Sequence, residues 1–198
     1  MKKTFVTIVS LLIIATAVSA QDIELPEPHR TGGMPLMEAL SQRQSIRTYI
    51  DGNIDEQMLS NLLWAAWGFN REDKRTAPSG MNKQEIDLYA VFSDGAYLYD
   101  AKENRLVSVT KEDVRKNLSN GQTFGENALV NIVMVADKTK GDGVMTAAYI
   151  SQNVYLFCAS EGLGTVARGS FNADEVGKAL NLNENQRTVL VQPVGKIK

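Results

Sequence analysis

Two neighbouring apolar segments in the second half of the chain restrict what it can fold into. Residues 128–136 are apolar except for Asn131, a run that is typical of a strand covered on both faces. Residues 144–160 are apolar on most sides, which predicts a long helix in the interior. Because a strand and a helix must both be buried, the sequence indicates an α+β domain built around a central sheet.

Shorter elements are predicted around this pair. Asp55 is a suitable N-cap for a strong helix that ends at Trp67. On that helix, Trp64 and Trp67 favour core or subunit packing over stacking on a ligand, although both roles remain open. Asp94-Gly95 predicts a hairpin turn within a strand meander. The other predicted helices are 34–42, 111–118 and 172–180, the strands are 86–93, 96–99, 106–110, 166–171 and 188–195, and the loops are 69–85 and 119–127.

The first 20 residues have the pattern of a secretory signal peptide. The basic start Met1-Lys2-Lys3 precedes an apolar run at 5–17, and Val18-Ser19-Ala20 resembles a cleavage site. The sequence therefore predicts an exported protein, periplasmic or secreted, without a membrane segment after cleavage. Residues 21–35 carry proline and glycine without periodicity, which predicts a flexible arm. Residues 36–198 are predicted to form one domain.

Composition excludes several function classes. The formal net charge of −2 argues against sequence-independent binding of nucleic acid. His29 is the single histidine and lies in the predicted arm, so neither a hydrolase triad nor a histidine-based metal site is expected. Cys158, the single cysteine, lies in an apolar run and is interpreted as a buried thiol. If the protein is an enzyme, a bound organic cofactor is the natural source of its chemistry.

Residues 41–49, Ser-Gln-Arg-Gln-Ser-Ile-Arg-Thr-Tyr, are the strongest functional signal. Arg43, Ser45 and Arg47 alternate, so an extended strand would present all three on one face. A helix would also place Arg43 and Arg47 on a shared face. Two guanidinium groups suit a phosphate or a carboxylate. We call residues 43–47 the arginine segment. From this segment alone, an anion site and a pair of solvated surface charges are equally supported.

Two further segments have the composition of ligand-binding loops. They are Arg75-Thr-Ala-Pro-Ser-Gly-Met-Asn-Lys-Gln84 and Gly162-Leu-Gly-Thr-Val-Ala-Arg-Gly-Ser-Phe171. Neither is a P-loop, and neither has the spacing of a dinucleotide-binding glycine motif.

Together, the three segments resemble the flavin-dependent nitroreductase superfamily. The resemblance lies in R-x-S-x-R at 43–47, P-S-x-x-N-x-Q at 78–84 and G-L-G-x-x-x-x-G-S-F at 162–171. Residues 62–71 and 75–79 are similar to the branch of the azoline-forming dehydrogenases. The resemblance spans residues 36–196. It implies a nitroreductase-like fold with a mostly antiparallel central sheet flanked by helices, and a homodimer with FMN at the subunit interface.

The resemblance also implies roles for individual residues. The phosphate and ribityl chain of FMN would be held by Arg43, Gln44, Ser45 and Arg47. The flavin ring would be lined by Pro78, Ser79, Gly80 and Asn82, and along its other side by Arg168, Gly169 and Ser170. Lys196 or Lys198 would supply a further cation to the phosphate. The substrate pocket would be shaped by residues 69–85 and by the region around Phe124. No side chain is assigned a catalytic role, because the chemistry would take place on the flavin.

The function implied is an FMN-dependent oxidoreductase that passes electrons to a small acceptor such as a nitroaromatic or a quinone. NAD(P)H is a candidate donor, although an exported protein would not meet this largely cytoplasmic cofactor. Two alternatives remain open. The chain could be an exported module that binds flavin or another phosphorylated ligand without turnover, or an interaction protein with an empty pocket.

Overall fold

The structure, a computed structural model, describes residues 21–198; the predicted signal peptide lies outside these residues. Its helices are α1 (Leu36–Gln42), α2 (Glu56–Trp67), α3 (Val144–Ser160) and α4 (Ala173–Ala179). Its strands are β1 (Ile23–Glu24), β2 (Phe69–Arg71), β3 (Lys74–Arg75), β4 (Ile86–Phe92), β5 (Gly95–Asp100), β6 (Arg105–Thr110), β7 (Val130–Asp137), β8 (Leu163–Thr165) and β9 (Gln186–Lys196).

Seven strands form one antiparallel sheet in the order β1-β6-β5-β4-β7-β9-β8, and β2 pairs with β3 in a separate hairpin. The central strand β7 is covered on both sides. Ile132 and Met134 face α2 and α3, whereas Val133 and Val135 face α4. This two-sided burial explains the unbroken apolar run and confirms the predicted α+β fold with a central antiparallel sheet.

Helix α3 has the predicted bounds, and one of its faces is buried in the core while Met145 and Tyr149 are exposed. Its buried residues Ala147, Ile150, Val154 and Cys158 recur at helical spacing and pack in the same core as α2. Burial raises the pKa of the Cys158 thiol, which agrees with an inert core residue. Among residues 21–198, no helix has both the length and the apolar character needed to cross a bilayer.

Residues 21–35, predicted as a flexible arm, are docked on the body of the protein. The arm contributes β1 to the edge of the sheet and buries Leu25 and Pro28. The hydroxyl of Ser60 and the side-chain amides of Gln57 and Asn104 donate to its backbone carbonyls. The sequence did not indicate this docking, because the partners of the arm are distant in the sequence. The arm's own residues show only proline, glycine and no hydrophobic periodicity.

Three local predictions also differ from the structure. The predicted loop 69–85 contains the β2–β3 hairpin and a 3₁₀ turn at Gly80–Asn82. The predicted helix 111–118 is reduced to a 3₁₀ turn at Arg115–Leu118. The short strand expected at 166–171 lies earlier, at Leu163–Thr165. Elements of two to four residues are too short to express a periodicity that a sequence pattern could reveal.

Candidate functional site

The arginine segment leaves α1 in an extended conformation and lies against the sheet edge. The backbone N–H of Ile46 donates to the Thr165 carbonyl at 2.9 Å, and that of Ile50 donates to the Lys196 carbonyl at 2.9 Å. Ile46 packs so closely on Gly164 that a Cβ added there would lie 2.9 Å from Ile46 Cγ2. Gly164 therefore lets the segment approach β8.

The charges of the arginine segment are not neutralised within the chain. Among the ion pairs of residues 21–198, none involves Arg43 or Arg47. Arg43 is half-buried and lies over the Tyr155 ring, 5.2 Å from its centroid, whereas Ser45 and Arg47 are exposed. Arg43, Gln44 and Tyr155 line an open cleft of ≈ 370 Å³ between α1, α3 and β8. Because an unpaired guanidinium attracts anions, this cleft suits a phosphate or a carboxylate.

Lys196, predicted as a further cation for the phosphate, lies outside this cleft. Its side chain is exposed and packs on the turn that follows the arginine segment, with Cδ 3.3 Å from the position of a Cβ on Gly52. The neighbouring Ile197 lines the cleft instead. Successive residues of an extended strand point in opposite directions, which explains the alternation.

The second predicted segment is a tight loop in an unusual backbone conformation. Met81, Asn82 and Gln84 have positive φ values of 52°, 56° and 47°. Such conformations persist only where surrounding contacts hold them, and they cluster at functional sites. Met81 at the tip is 87% exposed, and Pro78 and Gly80 are also exposed. We call residues 78–82 the exposed loop.

Arg75 holds this loop in place. Its guanidinium lies 3.9 Å from the Phe69 ring centroid and 5.0 Å from that of Trp67, and its Nε donates to Gln84 Oε1 at 2.9 Å. Burial lowers the pKa of Arg75. The side-chain amides of Asn82 and Gln84 both donate to the Asp73 carbonyl. Asn82 therefore uses one amide proton inside the loop. Only its second amide proton could be donated to the flavin ring that the resemblance implies it lines.

The two tryptophans differ in environment. Trp67 is buried and donates its indole N–H to the Ile86 carbonyl at 2.8 Å, which confirms the core interpretation for this residue. Trp64 is half-buried, donates to the Phe69 carbonyl, and lies under the guanidinium of Arg30 from the docked arm.

In the third segment, the Arg168 side chain points into the protein. It is 4% exposed, and its Nη2 donates to the carbonyls of Leu118 at 2.9 Å and Ser119 at 2.6 Å. The guanidinium also lies 5.1 Å from the Phe124 ring centroid, so this side chain anchors the 115–127 region. Gly169 and Ser170 are exposed. Of the three residues predicted to line the flavin here, only Gly169 and Ser170 face outward. The Arg168 guanidinium instead donates to the carbonyls at the end of a 3₁₀ turn.

Within a single chain, the first and third predicted segments lie in contact. Tyr155 connects the arginine segment with residue 167 by hydrogen bonds, and residues 162–165 line the same cleft as Arg43. Within residues 21–198, no hydrogen bond links the exposed loop to the arginine segment, and the cleft beside Arg43 is not lined by residues 78–82.

Comparison with known proteins identifies the family. The model of the nitroreductase family matches residues 40–196. The chain belongs to the nitroreductase family. A protein of Methanocaldococcus jannaschii named as a nitroreductase is 28% identical over 88% of this chain and 96% of its own length. A crystal structure of a nitroreductase-type protein from Ralstonia eutropha is 35% identical, covers 93% of each chain and superposes with a TM-score of 0.83.

A structure of an FMN-dependent nitroreductase from Clostridium difficile shares the fold. Its TM-score is 0.60 at 21% identity, and the match covers 81% of this chain and 86% of the other. This member of the nitroreductase family is accordingly an oxidoreductase enzyme.

Sequence reasoning missed two residues that organise the candidate site. Tyr155 lies in an apolar helix, where an aromatic residue is expected to be core, and its partner Ser45 is distant in the sequence. Arg75 lies at the start of the second segment and contacts residues close to it in the sequence, but no pattern indicates its contacts with the Trp67 and Phe69 rings.

Proposed function

We propose that this protein binds FMN at the arginine segment and passes electrons from a reduced donor to a small acceptor such as a nitroaromatic or a quinone. The observation that carries the proposal is that Arg43 and Arg47 have no ion-pair partner among residues 21–198 and that Arg43 lines an open cleft. A phosphate monoester matches the two guanidinium groups in charge and in hydrogen-bond geometry. Bound FMN would supply the electron-transfer chemistry.

In this proposal, the protein contributes binding and orientation. Arg43 and Arg47 would neutralise the phosphate, while Gln44 and Ser45 would donate to it or to the ribityl chain. The single histidine and the single cysteine fit such a division of labour. His29 is exposed on the docked arm and does not line the cleft. Cys158 lines the cleft, but burial raises the pKa of its thiol, which therefore stays protonated at neutral pH.

We further propose that a second copy of the chain completes the site. Large apolar side chains on α1 and α3 remain exposed in the single chain, including Met37 at 76% and Met145 at 67%. The exposed loop is held by a hydrogen bond from the Gln84 N–H to the Ser79 hydroxyl, and Met81 at its tip is 87% exposed. A homodimer would cover the apolar faces and bring this loop to the partner's arginine segment, lining the flavin with Pro78, Ser79, Gly80 and Asn82.

The alternative is a module that binds flavin or another phosphorylated ligand without turnover. It is favoured by the same unpaired arginines, because these side chains can bind an anion without any reaction. Within the family, residues 62–71 and 75–79 support a place near the azoline-forming dehydrogenases, and NADH and NADPH are the candidate donors.

The decisive experiment begins with the purified protein. We expect flavin absorbance in the isolated protein, or after loading with FMN, and bleaching of that absorbance by anaerobic dithionite. NADH and NADPH are then compared as donors, followed by a quinone and a nitroaromatic as acceptors. A protein that cannot be loaded with FMN would overturn the proposal. A loaded protein that no donor reduces and no acceptor reoxidises would favour the binding module.

We also propose that the protein is exported, on the basis of the first 20 residues. Expression of the full chain in a bacterial host should yield a periplasmic or secreted protein that begins at Gln21. Mass spectrometry of the N-terminal peptide in each cell fraction tests this. A cytoplasmic protein that retains residues 2–20 would contradict it.

A further inference from the structure

Tyr155 links the two segments that meet at the cleft. Its hydroxyl accepts a hydrogen bond from the backbone N–H of Ala167 at 2.8 Å and lies 3.0 Å from the hydroxyl of Ser45. The guanidinium of Arg43 lies over its ring, 5.2 Å from the ring centroid. The side chain extends from α3, whose neighbouring turns are anchored in the core by Val154 and Cys158. One residue on a fixed helix therefore contacts two of the four residues of the proposed phosphate site.

The direction of these hydrogen bonds follows from the groups involved. The N–H of Ala167 can only donate, so the Tyr155 oxygen accepts there. A phosphate can only accept, so a Ser45 hydroxyl that contacts it must donate to it. Tyr155 then donates its hydroxyl proton to the Ser45 oxygen. An anion bound at Ser45 thus orders the series of hydrogen bonds that runs from Ala167 through Tyr155 to Ser45. Hydrogen bonds aligned in this way strengthen one another.

We propose that Tyr155 is a positioning residue that turns the Ser45 hydroxyl into a hydrogen-bond donor for a phosphate monoester at the arginine segment. This inference rests on the proposed function and deepens it. It predicts that Tyr155 contributes to the preference for FMN over riboflavin, which has the same ring and ribityl chain but no phosphate. Through its ring, Tyr155 also holds Arg43 beside the same position, so two donors converge on one anion.

The test measures binding of FMN and of riboflavin by fluorescence quenching in a set of variants. Tyr155→Phe keeps the ring under Arg43 and removes only the hydroxyl. We expect it to weaken FMN binding about tenfold, the scale of one hydrogen bond to a charged group, and to leave riboflavin binding unchanged. Ser45→Ala should give a similar loss. The double variant should be no weaker than Ser45→Ala alone, because Tyr155 acts through that hydroxyl.

Tyr99→Phe is the matched control. It removes another tyrosine hydroxyl with a single side-chain hydrogen bond, to Asn104 at 3.1 Å, on β5 and outside the cleft. We expect it to bind FMN as the wild type does. Because Ser45 is exposed, Ser45→Ala also reports on the relay if loss of the Ala167 contact disturbs folding in Tyr155→Phe.

Three results would overturn the inference while leaving the proposed function intact. They are unchanged FMN affinity in Tyr155→Phe, an equal loss for FMN and riboflavin, and losses that simply add in the double variant. A wild-type protein that binds neither flavin would overturn both the inference and the proposed function. A Ser45→Ala variant with full FMN affinity would remove the hydroxyl from the phosphate site and would also overturn the inference.

Discussion

Replacing Arg43 and Arg47 together with alanine should abolish FMN retention and leave the fold intact. Each charge-assisted hydrogen bond to a phosphate contributes about 1.5–3 kcal/mol, so losing both should weaken binding roughly 10²- to 10⁴-fold. Folding should be unaffected because no ion pair within residues 21–198 depends on either side chain. Flavin absorbance per chain after gel filtration and an FMN titration measure the effect.

A control with the same change in charge separates a specific site from the overall field of the protein. Lys178 and Arg187 are both exposed and lie outside the cleft, so Lys178→Ala with Arg187→Ala removes two positive charges elsewhere. We expect this control to retain FMN, and both double variants to melt close to the wild-type temperature. Tight FMN binding by the Arg43 and Arg47 variant would show that the phosphate lies elsewhere.

The parts of the fold that the sequence predicted are those with long or locally complete patterns. Helix α3 has the predicted bounds, 144–160, because its apolar period runs over many turns. The cap at Asp55 was predictable since the side chain bonds to Met58, three residues away. The docked arm was not predictable, because its stability comes from contacts with distant segments. The β2–β3 hairpin was not predictable, because strands of three and two residues are too short to show alternation.

For the candidate site, the sequence located backbone segments better than side-chain directions. Arg168 stands in the predicted segment, but its guanidinium turns inward to the carbonyls of Leu118 and Ser119. Lys196 is the last residue of β9, yet the neighbouring Ile197 lines the cleft instead. A motif specifies residue types at a spacing, whereas direction depends on rotamers and partners contributed by the rest of the fold.

If the flavin site is shared between two chains, two defective variants should restore each other. The first variant is Arg43→Ala with Arg47→Ala, which lacks the arginine segment. The second is Gly80→Trp, which carries a bulky side chain on the exposed loop. A Cβ on Gly80 meets nothing within 4 Å in the single chain, so this variant should fold normally. It should nevertheless lose FMN, because the new side chain would fill space that the partner's flavin needs.

Co-expression then gives a quantitative result. A mixed dimer has one site with both defects and one site with neither. With random pairing, half of the dimers are mixed, so about one quarter of all sites should bind FMN, against none in either variant alone. Mixed dimers isolated through two different affinity tags should hold about one FMN per dimer. Gly177→Trp is the control, since a Cβ there also meets nothing within 4 Å and the residue lies on α4, away from the exposed loop.

The possible failures have distinct meanings. Mixed dimers that form but bind no FMN would show that the arginine segment and the exposed loop serve the same site within one chain. Full FMN retention by Gly80→Trp alone would show that the exposed loop does not contact the flavin, whatever the oligomeric state. Recovery to about one quarter of all sites requires that the flavin be held by Arg43 and Arg47 of one chain and the loop of the other.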